Sequence, residues 1–164
     1  MVKDGSRARS LADNLEKRFP EDTSVRLNYL PVIRARLELN RGDSSRAIDL
    51  LQVTVPHELG QPRSAAHGAF GALYPIYLRG EARLQQRNGA EAAHEFQKVR
   101  DHLGVVVSDP IGALARLQLG RAFVLSDDSA KARAAYQDLL TQWKDADRDI
   151  PIVKQAKAEY AKLQ

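Results

Sequence analysis

ALARLQLGRAFVLSDDSAKARAAYQDLL, residues Ala113 to Leu140, is the stretch from which the rest of the chain is read. Two apolar-periodic runs flank the polar break Ser126 to Ser129, which predicts two short helices folded back on each other. Gly120 and Ala132 stand twelve residues apart, with Ala122, Phe123 and Tyr136 at helical spacings around them. A close antiparallel crossing needs this arrangement: small side chains at the contact and larger apolar ones on either side.

The same plan fits upstream. Ala132 has counterparts at Ala92, Ala47 and Ala8, and four residues on from each stand Tyr136, Phe96, Leu51 and Ala12. Twelve residues before the first three anchors come Gly120, Gly80 and Ala35, so about three and a half hairpins fit the chain. The pattern resembles the tetratricopeptide repeat family in a degenerate form: the anchors lie 39, 45 and 40 residues apart, against about 34 in that family. The resemblance implies an all-α fold, a right-handed α-α superhelix (a solenoid) closed by a C-terminal capping helix. Solenoids of this kind work by binding other molecules along an extended surface.

Composition agrees with a helical domain. The chain has 164 residues, 43% apolar but only 6% aromatic, which suits packing through Ala and Leu. The net charge of +4 is dispersed, with no block of Lys and Arg, and gives no footprint for nucleic acid. Without cysteine there are no disulfides and no thiolate metal sites. No apolar run is long enough to cross a membrane, so a soluble segment without direct membrane contact is expected.

In chain order, residues 4–20 read as half a repeat, a second helix without its first. A repeat face bare at a terminus exposes apolar surface, so a fragment of a longer protein is expected. A hairpin follows over 24–54, with Thr23 or Ser24 as its cap and Pro31 kinking the first helix or marking where its regular part begins. Asn40-Arg41-Gly42-Asp43 forms its turn. Residues 55–72 carry Pro56, Gly60, Pro62, Gly68 and Gly71 and read as a long loop. A second hairpin spans 73–104, after which Val105 to Val107 is expected as extended chain packed against it. A third hairpin spans 109–144, and a capping helix 150–163 shows Ile152, Ala156, Tyr160 and Leu163 on one face and Lys154, Lys157, Glu159 and Lys162 outside.

No phosphate-binding glycine loop, nucleophile elbow or metal-protease motif occurs. No catalytic residue, metal site or cofactor is expected. His94 and His102, eight residues or about 12 Å apart along one helix, are too distant to share a metal. The expected site is the concave wall of the first helices, with Tyr29, Arg36, Tyr74, Tyr77, Glu81 and Arg121 as candidate contacts for a protein or peptide partner. Tyrosine beside arginine combines contact area with hydrogen bonding to acidic or backbone groups. The competing reading packs several wall residues, Leu114 and Leu117 first, into the core. Chaperone-clamp members of the family place asparagines on this wall; the matching positions here hold Ile33, Leu78 and Gln118, or Arg36, Glu81 and Arg121, so a chaperone clamp is not expected.

The run from Ser108 to Gln164, with LEKRFPEDTSVRLNYLPVIRARLELNRGD and GALYPIYLRGEARL upstream, further resembles the C-terminal tetratricopeptide region of eukaryotic-like serine/threonine protein kinases of Acidobacteria-type bacteria. Trp143 to Ile152 is its most specific part. The resemblance implies the sensory or scaffold tail of a membrane-anchored bacterial kinase, with none of the kinase catalytic motifs in this segment. Related tails on transcription regulators are the other possible parent. The alternative function is a structural segment that makes a homodimer.

Overall fold

A computed structural model describes residues 5–60, 73–106, 109–147 and 149–163. Among these the chain is all-helical, with no strand. Helix α1 spans Gly5–Arg18, α2 Leu30–Arg41, α3 Ser44–Leu51, α4 Tyr74–Gln85, α5 Gly89–Asp101, α6 Leu103–Val106, α7 Ile111–Leu125, α8 Ser129–Gln142 and α9 Pro151–Tyr160.

Three of the connections, α2 to α3, α4 to α5 and α7 to α8, are the same turn built from different residues. Gly42, Arg87 and Asp127 each take the left-handed conformation, at φ of 85°, 57° and 58°. Asp43, Asn88 and Asp128 then cap the following helix, accepting from the N–H of Arg46 at 2.9 Å, Glu91 at 3.2 Å and Lys131 at 3.1 Å. A short acceptor there satisfies one of the orphan donors of a helix start.

Inside the hairpins, glycine lets the two backbones close on an aromatic ring. A β-carbon on Gly80 would lie 2.6 Å from the Phe96 ring, and one on Gly120 would lie 2.6 Å from that of Tyr136. Ala35 and Leu51, sixteen residues apart like the other two pairs, lie in the same core cluster as Gly80's partner Phe96. Consecutive hairpins then pack together, most closely where α5 crosses α7: a β-carbon on Gly89 would meet the Ala122 carbonyl oxygen at 2.6 Å.

One buried cluster runs from Ala35 and Leu39 through Ile76, Phe96 and Val99 to Leu119 and joins the hairpins. A second, with Ala113, Leu117, Tyr136, Leu139 and Ala156, docks α9 on α7 and α8. Helix α1 lies against α2, with Ala12 buried beside Val25 and Leu30.

Several local expectations are corrected. Asp22, not Thr23 or Ser24, caps the approach to α2, accepting from the Val25 N–H at 3.0 Å. Pro31 keeps its expected place, marking where the regular helix begins: a π-helical segment, Val25–Tyr29, runs directly into α2, and Pro31 falls in the first turn of α2. Val105 and Val106 lie in the single helical turn α6, not in extended chain, with their N–H groups bonded to the His102 carbonyl at 2.9 and 3.2 Å. Within the expected loop, residues 55–59 form turns, and 61–72 lie outside the described residues. Among the described residues, no helix is long and apolar enough to cross a membrane.

Candidate functional site

The first helices of the hairpins stand in a row. Helix α2 packs on α4, α4 on α7 and α7 on α9, and polar side chains bridge each step. Arg36 on α2 forms an ion pair with Glu81 on α4. Gln118 on α7 donates to the Tyr77 hydroxyl on α4 at 3.2 Å. Arg121 on α7 grips Glu159 on α9 with Nε at 3.0 Å from Oε2 and Nη2 at 2.6 Å from Oε1. The Arg121 guanidinium also donates to Gln118 at 3.2 Å and Gln155 at 3.0 Å, and the Tyr136 hydroxyl donates to Glu159 at 2.8 Å.

Arg36, Glu81 and Arg121 each follow the crossing residue of their hairpin by one position, Ala35, Gly80 and Gly120. Successive first helices therefore carry alternating charge at one register position, and Glu159 extends the alternation to α9. The Glu159 carboxyl sits below its ordinary value: burial pushes it up, but the hydrogen bonds from Arg121 and Tyr136 and the Arg121 charge outweigh that. The Tyr136 phenol is raised by burial and by its bond to Glu159.

The six expected wall residues fall into different environments. Arg36, Glu81 and Arg121 are partly exposed but paired, and Arg121 has an acceptor at every guanidinium nitrogen. Tyr77 is only 7% exposed and packs edge-on against Phe96, ring centroids 5.6 Å apart. Burial and the nearby Glu81 carboxylate push its phenol up to about 12. Tyr74 is half-buried, its phenol raised by burial and by Asp109. Tyr29 is 41% exposed. Of the leucines weighed as core, Leu117 is buried and Leu114 is 36% exposed.

Sequence reading missed two members of this network, Glu159 and Gln155. Glu159 was placed among the outward lysines, yet it faces α7; carrying the repeat register onto the terminal helix, 38 residues past Arg121, would have found it. Gln118 stands at a wall position that the clamp comparison picks out, and Gln155 has no signal beyond helical spacing.

A separate buried ion cluster was also unforeseen. Arg79 on α4 donates to Glu58 at 2.7 and 2.9 Å and to Glu95 on α5 at 3.2 and 3.0 Å. Charged side chains are almost never this buried unless paired. Glu58 comes from the turns after α3, where no periodicity marks it, and it ties residues 52–60 to the second hairpin.

Among the described residues, no group of three or more His, Cys, Asp or Glu stands close enough to hold a metal ion. His94 is exposed, and the His102 ring Nδ1 lies 2.7 Å from the Lys98 carbonyl oxygen. Compared with protein-family models, curated proteins and solved structures, the chain matches none.

Proposed function

We propose that this chain is a non-catalytic interaction module, a tetratricopeptide-like right-handed superhelix that holds a protein or peptide segment on the face of its first helices. The observation that carries the reading is the row itself: α2, α4, α7 and α9 are joined step by step by polar side chains, leaving one continuous face across four helices. A surface of that length, built by repetition, suits an extended partner. In this reading the module is the sensory or scaffold tail of a bacterial serine/threonine protein kinase, the parent suggested by the sequence resemblance.

A photo-crosslinking side chain at Tyr74, compared with one at His94 on α5, tests the placement in cells of the source organism. Crosslinks to a distinct protein from position 74 and not from 94 are expected. Equal capture from both positions would contradict it.

One observation favours the alternative, a structural or dimerising segment. Leu11 on α1 is 62% exposed and Phe19 beyond it 45% exposed, so the edge helix presents apolar side chains outward. Light scattering decides it: a dimer that Leu11→Glu dissolves supports this second reading, and a monomer rejects it.

A further inference from the structure

The first and second hairpins share one register, offset by 45 residues, and away from the first-helix face they use it differently. Arg34 and Arg79 hold equivalent positions, one before the crossing residues Ala35 and Gly80. Two residues along a helix turn a side chain by about 200°, so Arg34 points away from Arg36, toward α1. There it donates to Glu16, Nη1 at 3.3 Å and Nη2 at 2.6 Å. Arg79 donates through the same two nitrogens to Glu58.

The equivalence stops at the next partner. Arg79 takes a second carboxylate, Glu95, through Nε at 3.2 Å and Nη2 at 3.0 Å, and Lys98 stands 3.6 Å from that carboxylate. Two cations face two carboxylates, and the site is closed. Forty-five residues earlier, Leu50 stands in place of Glu95 and Val53 in place of Lys98. A cavity of about 220 Å³ opens there, its apolar lining Leu30, Pro31, Leu50 and Val53 and its cations Arg26 and Arg34.

The charges of this cavity are one carboxylate short. Only Glu16 is at hydrogen-bond distance from Arg34; Asp13 stands off at 3.7 Å. Arg26 has a 58% exposed side chain, and its partner Glu21, 91% exposed, lies 3.8 Å away. Exposed pairs at that distance hold little. Arg34 and Arg26 thus share one bonded carboxylate where Arg79 and Lys98 share two.

That deficit says what fits. The cavity is smaller than the roughly 300–1,000 Å³ of small-molecule sites and has room for one or two side chains. Its lining suits an apolar side chain, and its arginines suit a carboxylate in a charge-assisted bond. Neighbouring residues of one peptide supply both.

We propose that the groove between α1 and α3 is a second docking site, which takes a short segment of a partner protein carrying an Asp or Glu beside a large apolar residue. The carboxylate bonds Arg34 as Glu95 bonds Arg79, and the apolar side chain covers Leu50 and Val53. The site shares no residue with the docking wall proposed for the first helices, so it stands or falls separately from that wall.

Panning the full chain against displayed random peptides, then titrating the enriched sequences by fluorescence anisotropy, tests it. The enriched peptides are expected to share an acidic residue beside a large apolar one. Leu50→Glu rebuilds the second hairpin's carboxylate within the chain and should lower their affinity at least about tenfold. Val53→Asp, at a residue 46% exposed, should do the same without touching the core, and Tyr74→Ala on the first-helix face should leave affinity within about twofold. Melting curves check that the variants fold. Peptides that follow Tyr74 and ignore Leu50 and Val53 belong to the first-helix wall and would overturn this site, as would a failure to enrich any. Peptides that need Leu50 and Val53 but carry no acidic residue would overturn the ligand class.

Discussion

Tyr136 lies over Gly120 with no room for a methyl group between them: a β-carbon there would come within 2.6 Å of Cε1 and 2.7 Å of Cζ of the ring. Gly80 and Phe96 repeat the relationship forty residues earlier. Because Tyr136 is buried between α7, α8 and α9, it has nowhere to move. Gly120→Ala should therefore destabilise the chain by about 1–3 kcal/mol through overpacking, despite alanine's better helix propensity. Adding Tyr136→Leu, which copies the Ala35 and Leu51 pair of the first hairpin, should recover part of the strain. Urea denaturation reads both, and an unchanged midpoint for Gly120→Ala would contradict the crossing.

Arg87 occupies the turn position that Gly42 fills in the first hairpin, at φ of 57°. A left-handed conformation costs a residue with a β-carbon about 1–2 kcal/mol, and glycine avoids that cost while adding some unfolded-state entropy. Arg87→Gly should raise stability by up to about 1 kcal/mol. A lower melting temperature would show that the Arg87 side chain contributes more than its backbone costs.

Arg79 is held by two carboxylates, with side chains of Arg79 and Glu58 each 5% exposed. Removing the cation leaves two buried negative charges facing each other, so Arg79→Met should cost about 3–5 kcal/mol. Glu58→Gln, which leaves Arg79 its bond to Glu95, should cost less. A denaturation series that reverses this order would contradict the cluster geometry.

The Tyr77 phenol sits at about 12, above its ordinary 10.0, because burial and the Glu81 carboxylate disfavour its anion. A group raised in the folded state favours folding while it stays neutral. That contribution is complete below pH 10 and is lost as pH climbs toward 12. Tyr77→Phe cannot ionise, so its stability relative to the parent should improve across that window in alkaline melts followed by circular dichroism. A difference independent of pH would contradict the burial of the hydroxyl.

Much of this architecture was legible in the sequence because repetition made it so. Gly80, Gly120, Phe96 and Tyr136 share one spacing, and small-against-large pairs at a helix crossing leave a periodic trace. The cap Asp43 likewise stands beside a visible turn. What escaped was everything set by contacts between distant segments. Glu58 reaches Arg79 from a stretch without period, and Glu159 shares its helix with lysines that made it look solvated. Tyr77 has the spacing of a wall residue, yet its ring turns inward to Phe96. The turn of α6 was hidden because β-branched valines favour extended chain, while the local bonds to His102 decide otherwise.

The row of first helices is the central claim, and its most direct test is the distance across it. The chain has no cysteine, so Tyr29→Cys with Leu114→Cys carries two nitroxide labels cleanly for pulsed electron-electron resonance. Two helix spacings separate α2 from α7 through α4, which predicts a single narrow distribution with backbones about 16–20 Å apart. A broad distribution, or one centred far beyond that range, would mean that the first helices do not stand side by side, and the docking wall would fall with them.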